Sequence, residues 1–242
     1  MELIKKSNYR YSKTSKKSKR IAKKTSSWGS FNDSYTVPIG EHKLPPLSYE
    51  FNALEPYIGA ETMKVHYDIL HRRCVNMLNK VELELQEARS CNDYKNIQCL
   101  ESQLALFGSC HNLHTIWWKS ITPNKTTIRE PLATEINCAF GSMESFKKQF
   151  GAVAKSTPGP GWAVLVWLPR AWRVELQQIS LHQNNVLQDC IPLLVLDVWE
   201  HAYFLDYKSN LDEYVEMWWN IIDWDTANHR LSQAKKVKWK PY

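Results

Sequence analysis

Glycine is scarce in this chain, with eight in 242 residues, and none of them cluster into a loop that could cradle a phosphate. No Gly-x-Ser-x-Gly turn is present and no segment repeats, so neither a serine-hydrolase elbow nor a solenoid is encoded. No apolar run approaches the roughly 20 residues needed to span a bilayer. The first residues, Met-Glu-Leu-Ile-Lys-Lys, lack the apolar stretch of a secretory signal. Cysteine is present but never as Cys-x-x-Cys. Cys74, Cys91, Cys99, Cys110, Cys138 and Cys190 are scattered. That spacing predicts free thiols in a reducing compartment, not a disulfide framework or a structural zinc site. The cytoplasm is the expected location, with an organelle matrix second. Acidic residues are nearly missing from one stretch: residues 1–24 hold ten Lys and Arg against Glu2 alone, a charge of +9. The remainder carries −3, so the net +6 describes a basic tail on a mildly acidic body.

What is plentiful points to a globular core. Hydrophobic residues make up 43% of the chain, and eleven Trp and eleven Tyr supply large apolar surfaces. Residues 1–40, rich in Lys, Ser, Thr and Tyr, show no apolar period and are expected to be disordered. A solvated extension is the simplest use for them; a tether to nucleic acid or another polyanion comes next, and an organelle-targeting peptide third.

Order is expected from Glu41-His-Lys-Leu-Pro-Pro-Leu onward. A first long helix is predicted from about Gly59 to Lys80, continued as polar helix through Val81–Ser90 and interrupted at Cys91-Asn-Asp. Met63, His66, Leu70, Val75 and Leu78 share its inner face. A second helix, about Asn96 to Ser120, carries Leu100, Leu104, Phe107, Cys110, His111, His114 and Trp118 at steps of three and four. Two helices joined this closely make an antiparallel hairpin. After Thr122-Pro-Asn-Lys the composition changes. Helices at about 131–137 and 143–155 precede strands at Trp162–Leu168, Trp172–Ile179 and Pro192–Leu196. Helices at Asp212–Ile222 and Asp225–Lys236 follow. The class is α+β: an N-terminal antiparallel helical hairpin (41–125), then a C-terminal α/β domain with a small antiparallel sheet (126–242).

The third strand ends on Asp197, four residues before His201. Alone, that pattern is an N-cap followed by a first-turn histidine. Read with inward histidines on both hairpin helices, it yields three imidazoles and one carboxylate, a set that suits iron or manganese and does not exclude zinc. His111, three before His114, either joins that set or holds its neighbours by hydrogen bonds.

Several stretches carry a resemblance: Leu44-Pro-Pro-Leu-Ser-Tyr-Glu-Phe-Asn-Ala-Leu-Glu-Pro-Tyr, Met63-Lys-Val-His66, Val75-Asn-Met-Leu-Asn, Asn112-Leu-His114-Thr-Ile-Trp-Trp, Gly161-Trp162, Asp197-Val-Trp-Glu-His201-Ala-Tyr, and Tyr214 with Trp218-Trp219-Asn220. Over roughly residues 42–236 the chain resembles the iron/manganese superoxide dismutases. The resemblance implies one iron or manganese ion per subunit, bound by His66, His114, Asp197 and His201. It implies dismutation of superoxide as the ion cycles between +3 and +2. It also implies a homodimer in which Glu200 bonds the last histidine ligand of the neighbouring subunit, with Trp199 beside it.

The chain departs from the family around those ligands. The usual gateway tyrosine aligns with Cys74. A histidine four after the first ligand and its cross-dimer tyrosine align with Leu70 and Phe204, apolar together. The glutamine that bonds the solvent at the metal aligns with Cys110 in iron-type members and with Pro158 in manganese-type members. A frequent arginine near the anion funnel aligns with Leu211. Losses of this kind commonly cost about ten- to a hundred-fold each. The implied activity is therefore a dismutase of reduced rate. The other reading is a binding protein on the same fold, tethered by its basic tail. Cys74 and Cys110 are read as small core residues, ahead of oxidisable thiols beside a redox metal.

Overall fold

The hairpin forms because an apolar stripe runs the length of its first helix. A computed structural model describes residues 36–241; the basic segment 1–24 and its expected disorder and polyanion binding lie outside that range. Helix α1 (Ala60–Lys64) passes through a π-helical segment, Val65–His71, into α2 (Arg72–Cys91). Val75, Leu78, Val81 and Leu85 are all buried, so the stripe continues past Lys80 and the helix continues with it. It stops where Asn92 takes a left-handed φ of 51° and the Asp93 N–H donates back to the Ala88 carbonyl. Helix α3 (Ile97–Ser120) returns antiparallel.

The hairpin corrects one expectation. Cys74 and Cys110 are joined by a disulfide across α2 and α3, with Cα atoms 6.1 Å apart. Their separation of 36 residues hid the pair, since only the packing of two helices makes them neighbours. Cys91, Cys99 and Cys138 are exposed and free, and Cys190 is free and half-buried.

In the second half, α4 (Leu132–Phe140) and α5 (Met143–Lys155) precede the sheet. The Ser142 hydroxyl caps α5 by accepting from the Ser145 N–H. Strands β1 (Gly161–Leu168), β2 (Arg173–Ser180) and β3 (Ile191–Asp197) form an antiparallel sheet in the order β2-β1-β3. Every residue of central β1 is buried, which accounts for its unbroken apolar sequence. A short α6 (Phe204–Tyr207), unforeseen in the sequence, follows the last motif. Then come α7 (Leu211–Trp218) and α8 (Trp224–Ala234).

Helix α3 packs on β3. Its end is tied to the last third of the chain: the Thr122 N–H donates to the Ile221 carbonyl and the Asp223 N–H to that of Ser120, both at 2.7 Å. Sheet register places Trp162 of β1 opposite Asp197 of β3. A slip of one residue would turn Asp197 to the other face. The hairpin histidines and the end of β3 therefore converge. Among the described residues, no helix is long and apolar enough to cross a membrane.

Candidate metal centre

Asp197 is completely buried, a position that costs a carboxylate several kcal/mol unless positive or donating groups surround it. Three imidazoles do. Oδ2 lies 3.2 Å from His66 Nε2, 3.6 Å from His114 Nε2 and 3.3 Å from His201 Nε2. The other carboxylate oxygen, Oδ1, accepts the Trp199 backbone N–H at 2.9 Å. The Asp197 carbonyl accepts the Tyr214 hydroxyl, also at 2.9 Å. These two bonds hold the carboxylate at the end of β3 with Oδ2 aimed inward.

Tautomers follow from the surroundings. His114 Nδ1 sits 2.7 Å from the Cys110 carbonyl, which only accepts, so Nδ1 carries the proton and Nε2 presents a lone pair. The His66 and His114 Nε2 atoms are buried without a hydrogen-bond partner. His66 Nε2 is close to Asp197 but off the line of a hydrogen bond. Orphaned buried nitrogens cost about 1–3 kcal/mol each, so two beside an anion call for an acceptor of lone pairs. Ligands about 2.1 Å from one cation and about 90–120° apart lie roughly 3.0–3.6 Å from each other, the range in which the three imidazole nitrogens stand from Asp197 Oδ2. His66, His114, Asp197 and His201 thus fit a hard-to-borderline cation, with nitrogen and oxygen donors and no thiolate.

Burial dominates the protonation of this cluster. It pushes His66 down to about 4 and His114 well below the ordinary imidazole value. Burial works to raise the Asp197 pKa too, but the His201 and His66 imidazoles outweigh it and hold the carboxyl below the usual range. At neutral pH the ionised Asp197 carboxylate has the neutral rings of His66 and His114 beside it, with lone pairs free for a metal.

His111 does not join it. Trp118 donates its Nε1–H to His71 Nδ1 at 2.9 Å, so His71 Nε2 carries a proton and donates to His111 Nδ1 at 2.9 Å. His71 was not anticipated. In an α-helix the residue stacked over His66 is Leu70; the π-helical turn shifts that row by one and brings His71 inside, fully buried. Leu70 instead lines the cavity beside the ligands.

His182 was also missed. It follows β2 in a loop whose sequence gives no metal-binding signal. Its ring centroid is 5.6 Å from that of His114, and it stacks on Trp199 at 4.4 Å. Trp162 Nε1 donates to His182 Nδ1 at 3.0 Å, leaving Nε2 as the protonated nitrogen of the neutral ring. The signal that could have found it is the Trp162–Asp197 register, which carries Trp162 and its partner to the site. Pro158 offers no polar side chain there. Trp199 also stacks on His201, at 5.4 Å. Leu211 and Glu200 line a surface groove beside His201, and the Glu200 side chain is exposed. Phe204 is exposed as well.

Comparison with known proteins agrees with this geometry. Residues 41–122 match the alpha-hairpin domain of iron/manganese superoxide dismutases, and residues 128–230 match their C-terminal domain. The chain is 46% identical over 207 residues to a probable iron superoxide dismutase of Bacillus subtilis (strain 168), covering 85% of this chain and 74% of that one. It is 39% identical over 201 residues to an iron superoxide dismutase of Pyrobaculum aerophilum, covering 82% and 95%. It is 37% identical over 201 residues to a mitochondrial manganese superoxide dismutase of Drosophila melanogaster, covering 82% and 92%. With both halves matched in order and the four donors brought to one point, the chain belongs to the iron/manganese superoxide dismutase family.

Proposed function

We propose that this protein converts superoxide to peroxide and dioxygen at one iron or manganese ion held by His66, His114, Asp197 and His201, as a cytoplasmic homodimer. The observation that carries the reading is the pair of partnerless, buried Nε2 atoms of His66 and His114 beside the ionised Asp197. An ion held there would supply one-electron redox chemistry between its +3 and +2 states. Asp197 offsets part of the cation's charge and leaves a site that attracts a small anion. A cavity of about 190 Å³ reaches His114, His182 and His201, with Arg73 on its wall as a positive charge. His182 holds a proton on Nε2 at the inner end of this cavity, where peroxide formation consumes protons.

The expected dimer is supported by exposed apolar side chains on α6, Phe204 and Leu205, beside the exposed Glu200. Glu200 reaching the partner's last ligand would satisfy a carboxylate that otherwise faces solvent. The exposed free cysteines Cys91, Cys99 and Cys138 fit a reducing compartment.

The primary test is metal content per subunit of the purified full chain, paired with superoxide removal by the same sample and with its solution mass. About one iron or manganese per subunit, with activity, is expected. No metal after reconstitution, or metal without superoxide removal, would overturn the catalytic reading. His182→Leu is expected to keep the metal and slow superoxide removal about ten- to a hundred-fold. If that variant runs at the parent rate across pH 6–9, His182 has no part in proton delivery.

A further inference from the structure

The disulfide between Cys74 and Cys110 lies on the wall of the cavity that ends at His114, His182 and His201. This is the cavity that brings Arg73 and the proposed metal-holding residues His114 and His201 onto one wall. Cys110 is almost wholly buried, and its sulfur lies 3.5 Å from His114 Nδ1. Cys74 is only half-buried.

A purely structural staple explains this placement poorly. The hairpin is already closed by the buried stripe of Val75, Leu78, Val81 and Leu85. The other four cysteines are unpaired, three of them exposed, so the chain is not a disulfide-built scaffold. The one pair that is bonded sits where peroxide would leave the site.

We propose that Cys74 and Cys110 are a second, two-electron redox centre, a dithiol that reduces peroxide in the channel and is restored by a dithiol reductant. Cys74, the more accessible sulfur, attacks one peroxide oxygen. The S–O bond forms, the O–O bond breaks, and the departing hydroxide takes a proton to become water. The Cys110 sulfur then attacks the sulfenic sulfur of Cys74. The S–S bond forms, the S–O bond breaks, and a second water leaves. Two thiols lose two electrons to peroxide, and an external dithiol returns them by exchange. As a physiological cycle this rests on the dismutase reading, which supplies the peroxide. The chemistry can be tested without it, because peroxide can be added.

The experiment uses the full chain, reduced with dithiothreitol and freed of it, then given one equivalent of hydrogen peroxide. Peptide mass mapping follows the loss of two hydrogens at the Cys74–Cys110 pair and modification at the other cysteines. The crosslink is expected to return at least about ten times faster than Cys91, Cys99 or Cys138 oxidises. Cys110→Ser is expected to accumulate sulfenic acid at Cys74, captured by dimedone, and Cys74→Ser to yield none. The inference is overturned if dithiothreitol leaves the bond intact in the folded chain, or if the pair reoxidises no faster than the exposed thiols. The parent protein alone decides between these outcomes should either variant fail to fold. Superoxide removal measured on the same reduced and oxidised samples reports separately on the dismutase reading.

Discussion

Asp197→Asn is expected to abolish tight metal binding and to lower superoxide removal by more than about a hundred-fold, beyond what the loss of a group bonded to a ligand costs. The substitution is close to isosteric. Its side-chain oxygen can still accept the Trp199 N–H, and the backbone carbonyl still meets Tyr214. What disappears is the negative charge beside the His66, His114 and His201 imidazoles, at distances of 3.2–3.6 Å. A buried cation then has no counter-charge, and its desolvation is no longer offset. The apoprotein should still fold, because the amide keeps the Trp199 hydrogen bond and leaves the Tyr214 hydrogen bond untouched. Metal analysis and superoxide removal, with circular dichroism as the check on folding, test this directly. A folded variant that keeps one metal per subunit and more than a tenth of the parent rate would show that Asp197 is not an essential ligand.

The metal-free protein should lose stability steeply between pH 7 and pH 5. Burial pushes His66 down to about 4, His71 to about 3 and His182 to about 4, and His114 well below its ordinary value. In the unfolded chain these imidazoles take up protons near pH 6.5. In the folded chain they stay neutral until the pH is much lower. The unfolded state therefore binds more protons throughout this window, and acid favours unfolding. Between pH 7 and 5 His66, His71 and His182 contribute about 2 kcal/mol each, roughly 6 kcal/mol together, and His114 acts in the same direction. For a chain of this size that is a fall in Tm of at least about 12 °C. Asp197 does not oppose the trend, since its depressed pKa keeps it ionised well below pH 5. The metal-loaded protein should melt higher at each pH, and its Tm should fall over the same window, because its unfolded chain takes up the same protons. Calorimetric melts of both forms at pH 7, 6 and 5 decide the matter. A Tm that stays level from pH 7 to pH 5 in the metal-free protein would mean that buried neutral histidines do not carry the effect.

Much of this molecule was legible along the chain. The hairpin, the three strands and the terminal helices all have periodic or uniformly apolar sequences, and turns with recognisable residues separate them. The four donors were legible because each lies in a run of distinctive neighbours, Asp197-Val-Trp-Glu-His201 above all. The ends of elements were less clear. The first helix continues through Val81–Ser90 as its sequence predicts, but Val81 and Leu85 are buried in what reads as a polar stretch. Helix α6 has four residues and no buried side chain, so no pattern marks it.

The groups around the donors were decided by tertiary structure. His71 turns inward because a π-helical segment shifts the register of the helix by one residue, and local sequence does not announce that shift. His182 reaches the site because β1 pairs with β3 at Trp162–Asp197 and Trp162 then bonds the histidine. The Cys74–Cys110 bond, read from spacing as two free thiols, exists because α2 and α3 pack face to face. Residues that converge on one point can be recognised by their own neighbours in sequence, but hydrogen-bond and sulfur partners are chosen by distances that only the assembled helices and sheet create.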